Sequence, residues 1–375
     1  MPDAVSPPRI VIASTLKPVH DTRAWEKFGL SLRETNKYEI NIIGFSTKKI
    51  EISHKVKFHS SQAVPNSLIS RIKAQLIFRK LLLEIRPQLV ICCTFEYLPI
   101  VQQLKDKIGF RLIYDVQENY ILNLSLRKNS PDWKIKLWEK VIKLAEESKA
   151  IDHYILAEKC YQSQFHDRKP ALVLENKFVG EIKTILPKKP EEKYGYHFVI
   201  SGTLAESFGT LNGIEFFKAV VKEYPFSRLT IIGQTTVPEF EKVLLKQVEN
   251  QPQIDLKIDS IPVPHSEIIE AIQSADFLLC PYEIHAAFEG KIPSKFFEGQ
   301  ALGIPILYPK NETWKSFFKE SAGGFSIDFY KPQEYLSQFR LALDQVYFLN
   351  PNQLEVNWES DKPGFLKLVE GLIQA

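Results

Sequence analysis

Short apolar runs alternate along the chain with longer stretches in which apolar residues recur every three or four positions. In the first half the runs cover 9–14, 38–45, 89–94, 111–116, 154–156 and 171–174; in the second, 197–201, 229–233, 256–260, 277–281, 304–308 and 324–327. Helical periodicity fills 22–35, 71–85, 133–150 and 158–166, then 212–223, 266–274 and 365–373. Strands that are apolar throughout are covered on both faces, so the pattern predicts an α/β chain with doubly wound parallel sheets.

The alternation stops at 180–194, a polar, proline-broken stretch without periodicity, and then restarts. Two Rossmann-like domains follow: an acceptor-side domain over 1–185, a nucleotide-sugar-binding domain over 186–350, and a last helical segment over 351–375 that returns to the first. The sugar-related labels rest on the resemblance given below. A length of 375 residues favours two domains over one.

Composition narrows the class. Hydrophobic residues make up 44% and charged residues 25%, as in water-soluble globular proteins, and no run of about 18 apolar residues occurs. Residues 1–9 lack the layout of a signal peptide, so a cytoplasmic location is expected. The four cysteines, Cys92, Cys93, Cys160 and Cys280, form no C-x-x-C pair and read as free thiols. A net charge of +3 gives no reason to expect nucleic acid. Basic residues do gather on two amphipathic helices. At 71–85, Ile72, Leu76, Ile77, Leu81 and Leu82 are set among Arg71, Lys73, Arg79 and Lys80; at 133–150 the cations are Lys134, Lys136, Lys140 and Lys143. Such faces suit peripheral contact with an anionic membrane, or else are solvated sides of helices with an apolar core stripe.

Candidate chemistry collects where strands end. Pro293 and Ser294 open a helix that Gly303 stops, with Lys295 and Glu298 three apart on one face. A lysine in the first helical turn, beside unpaired backbone N–H groups, suits a phosphate, and Glu298 suits ribose hydroxyls; the alternative is an ordinary surface ion pair. Gly202 and Thr203 follow a strand and precede a helix, where backbone comes close to a ligand. In the first half, Asp21 sits in the loop after the first strand as helix cap or site residue, and Gln117 and Glu118 lie just past the strand 111–116.

The run Ile292-Pro293-Ser294-Lys295-Phe296-Phe297-Glu298, followed by Ala301-Leu302-Gly303-Ile304-Pro305-Ile306, resembles the donor-binding segment of GT-B glycosyltransferases, specifically the retaining GT4 family. His20-Asp21-Thr22-Arg23, Tyr114-Asp115-Val116, Ser201-Gly202-Thr203, Asn176 and Asn357-Trp358-Glu359 fall in the family's order. The resemblance implies a GT-B fold, two Rossmann-like domains facing a central cleft, with Lys295 on the donor diphosphate and Glu298 on the ribose. This chain departs from the family's pattern in several places. Gly290 stands where the family has a second glutamate, with Glu289 offset by one; Gln117 stands for a histidine; Thr203 and Phe208 stand for an arginine and a lysine; and the first loop lacks paired glycines.

What the resemblance implies is a retaining, metal-independent, hexosyltransferase-type enzyme. It would move a sugar from a nucleotide-diphosphate sugar, as substrate and without further cofactor, to a glycan or lipid-linked acceptor in surface polysaccharide biosynthesis. No Asp-x-Asp triplet of the kind that holds a metal on the diphosphate is present. The site residues expected are Asp21, Gln117 and Glu118 on the catalytic side, and Gly202, Thr203, Glu289, Ser294, Lys295 and Glu298 on the donor side. The departures keep open a catalytically silent binding or scaffold subunit and a nucleotide-sugar epimerase of the same fold.

Overall fold

A computed structural model describes residues 6–46, 56–62, 68–125, 131–182, 184–235, 237–351 and 353–375. The chain forms two compact units, one of Met1–Val179 with Trp358–Ala375, the other of Gly180–Asn357. Against the expected divisions after residues 185 and 350, the chain leaves the first unit after Val179 and re-enters it at Trp358.

Among the described residues the first unit holds seven parallel strands: β1 (Arg9–Pro18), β2 (Glu39–Phe45), β3 (Val56–Gln62), β4 (Leu89–Cys92), β5 (Arg111–Val116), β6 (His153–Leu156) and β7 (Ala171–Val173). Their order is β3-β2-β1-β4-β5-β6-β7. β1 shows why such strands are apolar at every position: Ile10 and Ile12 pack with Phe28 and Leu32 on one face, Val11 and Ala13 with Phe78 and Leu82 on the other. Trp358 and Phe365 complete the first of these layers. Phe365 stacks on Phe28 at 4.5 Å, and the Trp358 indole N–H donates to Ser31 Oγ at 2.9 Å. The closing helix, Lys362–Gln374, is therefore part of this core. The helix after β1 starts as π-helix over Thr22–Gly29 and tightens to α-helix over Leu30–Glu34.

Among the described residues the second unit holds six parallel strands, β8 (His197–Thr203), β9 (Arg228–Gln234), β10 (Ile254–Asp259), β11 (Phe277–Leu279), β12 (Ile306–Tyr308) and β13 (Gly324–Ser326), in the order β10-β9-β8-β11-β12-β13. In both sheets the order runs outward from the first strand and resumes on its other side at the fourth, so the switch points lie between β1 and β4 and between β8 and β11. After the chain leaves the first unit, 184–194 packs as a strap on the second. Lys188 and Tyr347 exchange backbone hydrogen bonds of 2.9 and 2.8 Å, Ile185 packs on the core, and Lys193 pairs with Asp276 at 2.7 Å.

The two basic helices are apolar on two sides. In Leu68–Ile85 the core stripe is Ala74, Phe78 and Leu82, while Ile72, Leu76 and Ile77, grouped in sequence with Leu81 and Leu82, are exposed. In Asp132–Glu146, Ile142, Ala145 and Glu146 are buried, and Trp133, Leu137, Val141 and Leu144 face outward.

Candidate functional site

In the second unit the loop after β8 and the segment after β11 leave neighbouring strands at the switch point. Two glycines let them approach each other. Gly209 has φ +67°, and a Cβ there would stand 1.7 Å from the Pro281 carbonyl oxygen. Gly202 has φ +102°, and its Cβ would meet Lys295 Cε at 3.1 Å. The absence of a side chain at Gly202 thus gives Lys295 its path along the loop.

Lys295 lies in the first turn of the helix Ser294–Leu302, which Pro293 opens with no side-chain hydrogen bond at its cap and Gly303 closes in the left-handed conformation. Its ammonium donates to both Glu298 carboxylate oxygens, at 2.9 and 2.7 Å. Both side chains are buried, and His265 Nε2 stands 3.6 Å from Glu298 Oε1. Burial works against the Glu298 charge, but Lys295 and His265 outweigh it and hold the carboxyl at about 2. The sequence offered no signal for His265, which opens the helix His265–Gln273.

Aromatic packing fixes this helix. Phe296 contacts Trp314 at 5.3 Å and Phe318 at 4.9 Å, and the Trp314 indole N–H donates to the Lys291 carbonyl at 2.8 Å, tying down the segment before Ser294. Ser294 is half-buried at the helix start, while Thr203 and Glu289 are exposed. Of the expected donor residues, the described contacts join Lys295, Glu298 and Gly202. Among the described residues, the hydroxyl oxygens of Ser201 and Thr210 are buried without a hydrogen-bond partner. They bracket the Gly202–Gly209 loop; Ser201 belongs to the Ser201-Gly202-Thr203 run, whereas nothing in sequence marked Thr210.

The first unit carries a different constellation. Asp21 caps the helix Thr22–Gly29, accepting from the backbone N–H groups of Arg23 and Ala24 at 3.0 Å each. Arg23 is buried and binds Asp115 in bidentate fashion, with contacts of 2.7, 2.8 and 3.1 Å. Its remaining nitrogen donates to the Leu174 carbonyl at 2.9 Å and to Asn176 Oδ1 at 3.1 Å. Gln117 donates to Asp115 Oδ2 at 2.8 Å, so it belongs to this network, whereas Glu118 is exposed and accepts from Asn123 at 3.3 Å. Arg23, which entered the sequence reading only as the end of the His20-Asp21-Thr22-Arg23 run, is the centre of the group. Its burial comes from the β1, β5 and β7 ends meeting, a long-range arrangement that local spacing does not carry. Among the described residues no group of three or more His, Cys, Asp or Glu side chains is placed to hold a metal ion.

No protein-family model matches the sequence, and no curated protein does. Solved structures do match over nearly the whole chain. Sucrose-phosphate synthase from Thermosynechococcus elongatus superposes with a TM-score of 0.69 at 14% identity, over 98% of this chain and 99% of that one. WaaG, a glycosyltransferase involved in lipopolysaccharide biosynthesis, gives 0.64 at 12% identity over 96% and 95%. HepE from Anabaena, solved with UDP-glucose, gives 0.64 at 10% identity over 97% and 100%. The chain shares their fold, and the GT-B architecture expected from the sequence, two doubly wound parallel sheets with flanking helices, is borne out.

Proposed function

We propose that the chain is a retaining glycosyltransferase of the hexosyltransferase type, working in the cytoplasm. It transfers a sugar from a nucleotide-diphosphate sugar to a glycan or lipid-linked acceptor in surface polysaccharide biosynthesis. The observation that carries this reading is the buried Lys295–Glu298 pair beside Gly202, at the switch point of the second sheet. An ammonium has three donors, and two of them point at Glu298, which leaves one for a phosphate oxygen. The backbone N–H groups at the start of the helix Ser294–Leu302, with Ser294 beside them, add to that anion site. Glu298, held ionised, accepts from ribose hydroxyls; Gly202 and Thr203 let backbone approach the diphosphate.

In this reading the sugar leaves with the bond between its anomeric carbon and the phosphate oxygen breaking. The acceptor oxygen attacks from the same face, and its proton passes to the departing phosphate oxygen. Lys295 and the helix start stabilise the charge developing there. No metal ion is assigned a part. Gln117 cannot take a proton and serves to hydrogen-bond the sugar; Asp21 and Glu118 orient acceptor or sugar hydroxyls. Glu289, exposed and off the family's register, contributes least.

The test is release of free nucleotide from a panel of nucleotide sugars, starting with UDP-glucose because HepE was solved with it. Release that requires acceptor, with the first-formed product keeping the donor's anomeric configuration by NMR, is the expected result. Inverted product would overturn the mechanism. A specific observation favours a second reading, a catalytically silent binding or scaffold subunit: residues 201–209 contain no Arg or Lys and do contain Glu206. That subunit would bind nucleotide sugar and release nothing, and an epimerase would return an altered sugar still on its nucleotide.

A further inference from the structure

Two helices of the first unit each carry a second apolar stripe that their own core does not cover. On Leu68–Ile85 it consists of Ile69, Ile72, Leu76 and Leu83, with Ile69 67% and Leu76 64% exposed. On Asp132–Glu146 it consists of Trp133, Leu137, Val141 and Leu144, with Trp133 and Leu144 each 68% exposed. Spacings of three, four and seven residues put each set on one face of its helix. Single exposed apolar residues are ordinary; two aligned rows containing a tryptophan are not.

The rows share one surface. A cavity of about 370 Å³ opens between the helices, lined by Ile72, Phe95, Trp138 and Val141 and by the paired charges of Arg71 and Glu96. Ile72 and Val141 belong both to the stripes and to the cavity wall, so the stripes flank a single mouth.

The charges beside the rows are mostly basic, with Glu84, 3.6 Å from Lys80, and Glu147 among the exposed exceptions. Lys136, Lys140 and Lys143 run parallel to the stripe of Asp132–Glu146, and Lys73 and Lys80 each follow a stripe residue of Leu68–Ile85 by four positions; all five are exposed. Protein interfaces are depleted in lysine at their centres, and a second copy of this chain would set lysine row against lysine row. Long cationic side chains that keep their ammonium in water while their stems lie along apolar surface fit instead the boundary between lipid headgroups and acyl chains. Among the described residues no helix is long and apolar enough to cross a membrane, so contact would be from one side.

We propose that the face formed by Leu68–Ile85 and Asp132–Glu146 docks on a bilayer containing anionic lipid. Its apolar rows enter the headgroup region, and the lysines stay with the phosphates. The proposal is independent of the transferase reading, because the binding needs neither nucleotide nor acceptor.

Flotation of the full chain with vesicles tests it. Vesicles of phosphatidylcholine with phosphatidylglycerol should carry the protein at least about tenfold better than phosphatidylcholine alone, and about 0.5 M salt should remove most of that advantage. Trp133→Glu with Leu137→Glu, and separately Ile72→Glu with Leu76→Glu, should each lower binding by about tenfold or more. All four positions are exposed, so the thermal unfolding midpoint should stay in place and separate lost docking from lost folding. The idea fails if no anionic vesicle retains the protein. It fails equally if both double variants float like the parent, or if sedimentation shows copies of the chain paired through this face while vesicles are ignored.

Discussion

Both units bury an ion pair at the ends of their strands, and the pairs differ in how many of their donors are already taken. In the first, Arg23 commits its fork to Asp115 and its remaining nitrogen to Leu174 and Asn176, and Gln117 donates to the same aspartate. A guanidinium engaged on every nitrogen joins the β1, β5 and β7 ends rigidly and has little left for a ligand. In the second, Lys295 has one carboxylate partner and passes beside a residue with no side chain. A compact ammonium with a spare donor next to open backbone can change partners. A buried charge therefore marks a strut or a binding group according to how many of its donors are already taken.

The largest expected effect tests the strut. Arg23→Ala leaves Asp115 buried without its cation and should destabilise the first unit by about 3 to 5 kcal/mol in chemical denaturation. Arg23→Lys should recover little of it, because an ammonium cannot reproduce the fork. Full recovery would erase the distinction between the two sites.

Glu298→Gln comes next. A carboxyl held at about 2 contributes stability that is complete above its unfolded range near 4.5 and is lost as pH falls toward 2. Relative to the parent the variant should lose about 3 kcal/mol at neutral pH, a gap that closes between pH 4.5 and 2. A gap independent of pH would mean that the pair holds no such charge.

Lys295→Ala should weaken nucleotide binding about ten- to a hundredfold, a loss of about 1.5 to 3 kcal/mol by calorimetry, while Arg23→Lys in whatever fraction remains folded should leave it alone. Equal losses would make both cations struts. Smallest is Asp21→Ala, which removes a helix cap and should cost about 1 kcal/mol of stability. A loss of turnover much larger than that stability change implies would assign the Asp21 carboxylate to substrate as well.

What could be read from the sequence was whatever depends on local pattern. β5 at Arg111–Val116 falls where its apolar run does, and Gly303 ends its helix as a residue free to take φ +69° should. β3 was missed: its Val56–Gln62 segment lies at the sheet edge with Lys57 and Ser60 exposed, so no apolar run announces it. Which face of Leu68–Ile85 is core stayed open in the sequence because a helix apolar on two sides has no single stripe to find. In the site, Lys295 and Glu298 were visible because both lie on one helix. Arg23 with Asp115, and Glu298 with His265, were hidden because their partners lie far along the chain and meet only when the sheets form.

The return of Trp358, Phe365 and Val369 into the first unit has a consequence for how the chain is made. Proteins grow from the amino end, and domains commonly fold in the order in which they leave the ribosome. Here that order is reversed for completion, because every residue of Gly180–Asn357 emerges before the last wall of the first unit's core does. Until then Phe28, on the helix after β1, lacks the Phe365 ring that stacks on it. The first unit therefore stays open to chaperones while the whole of the second is being made.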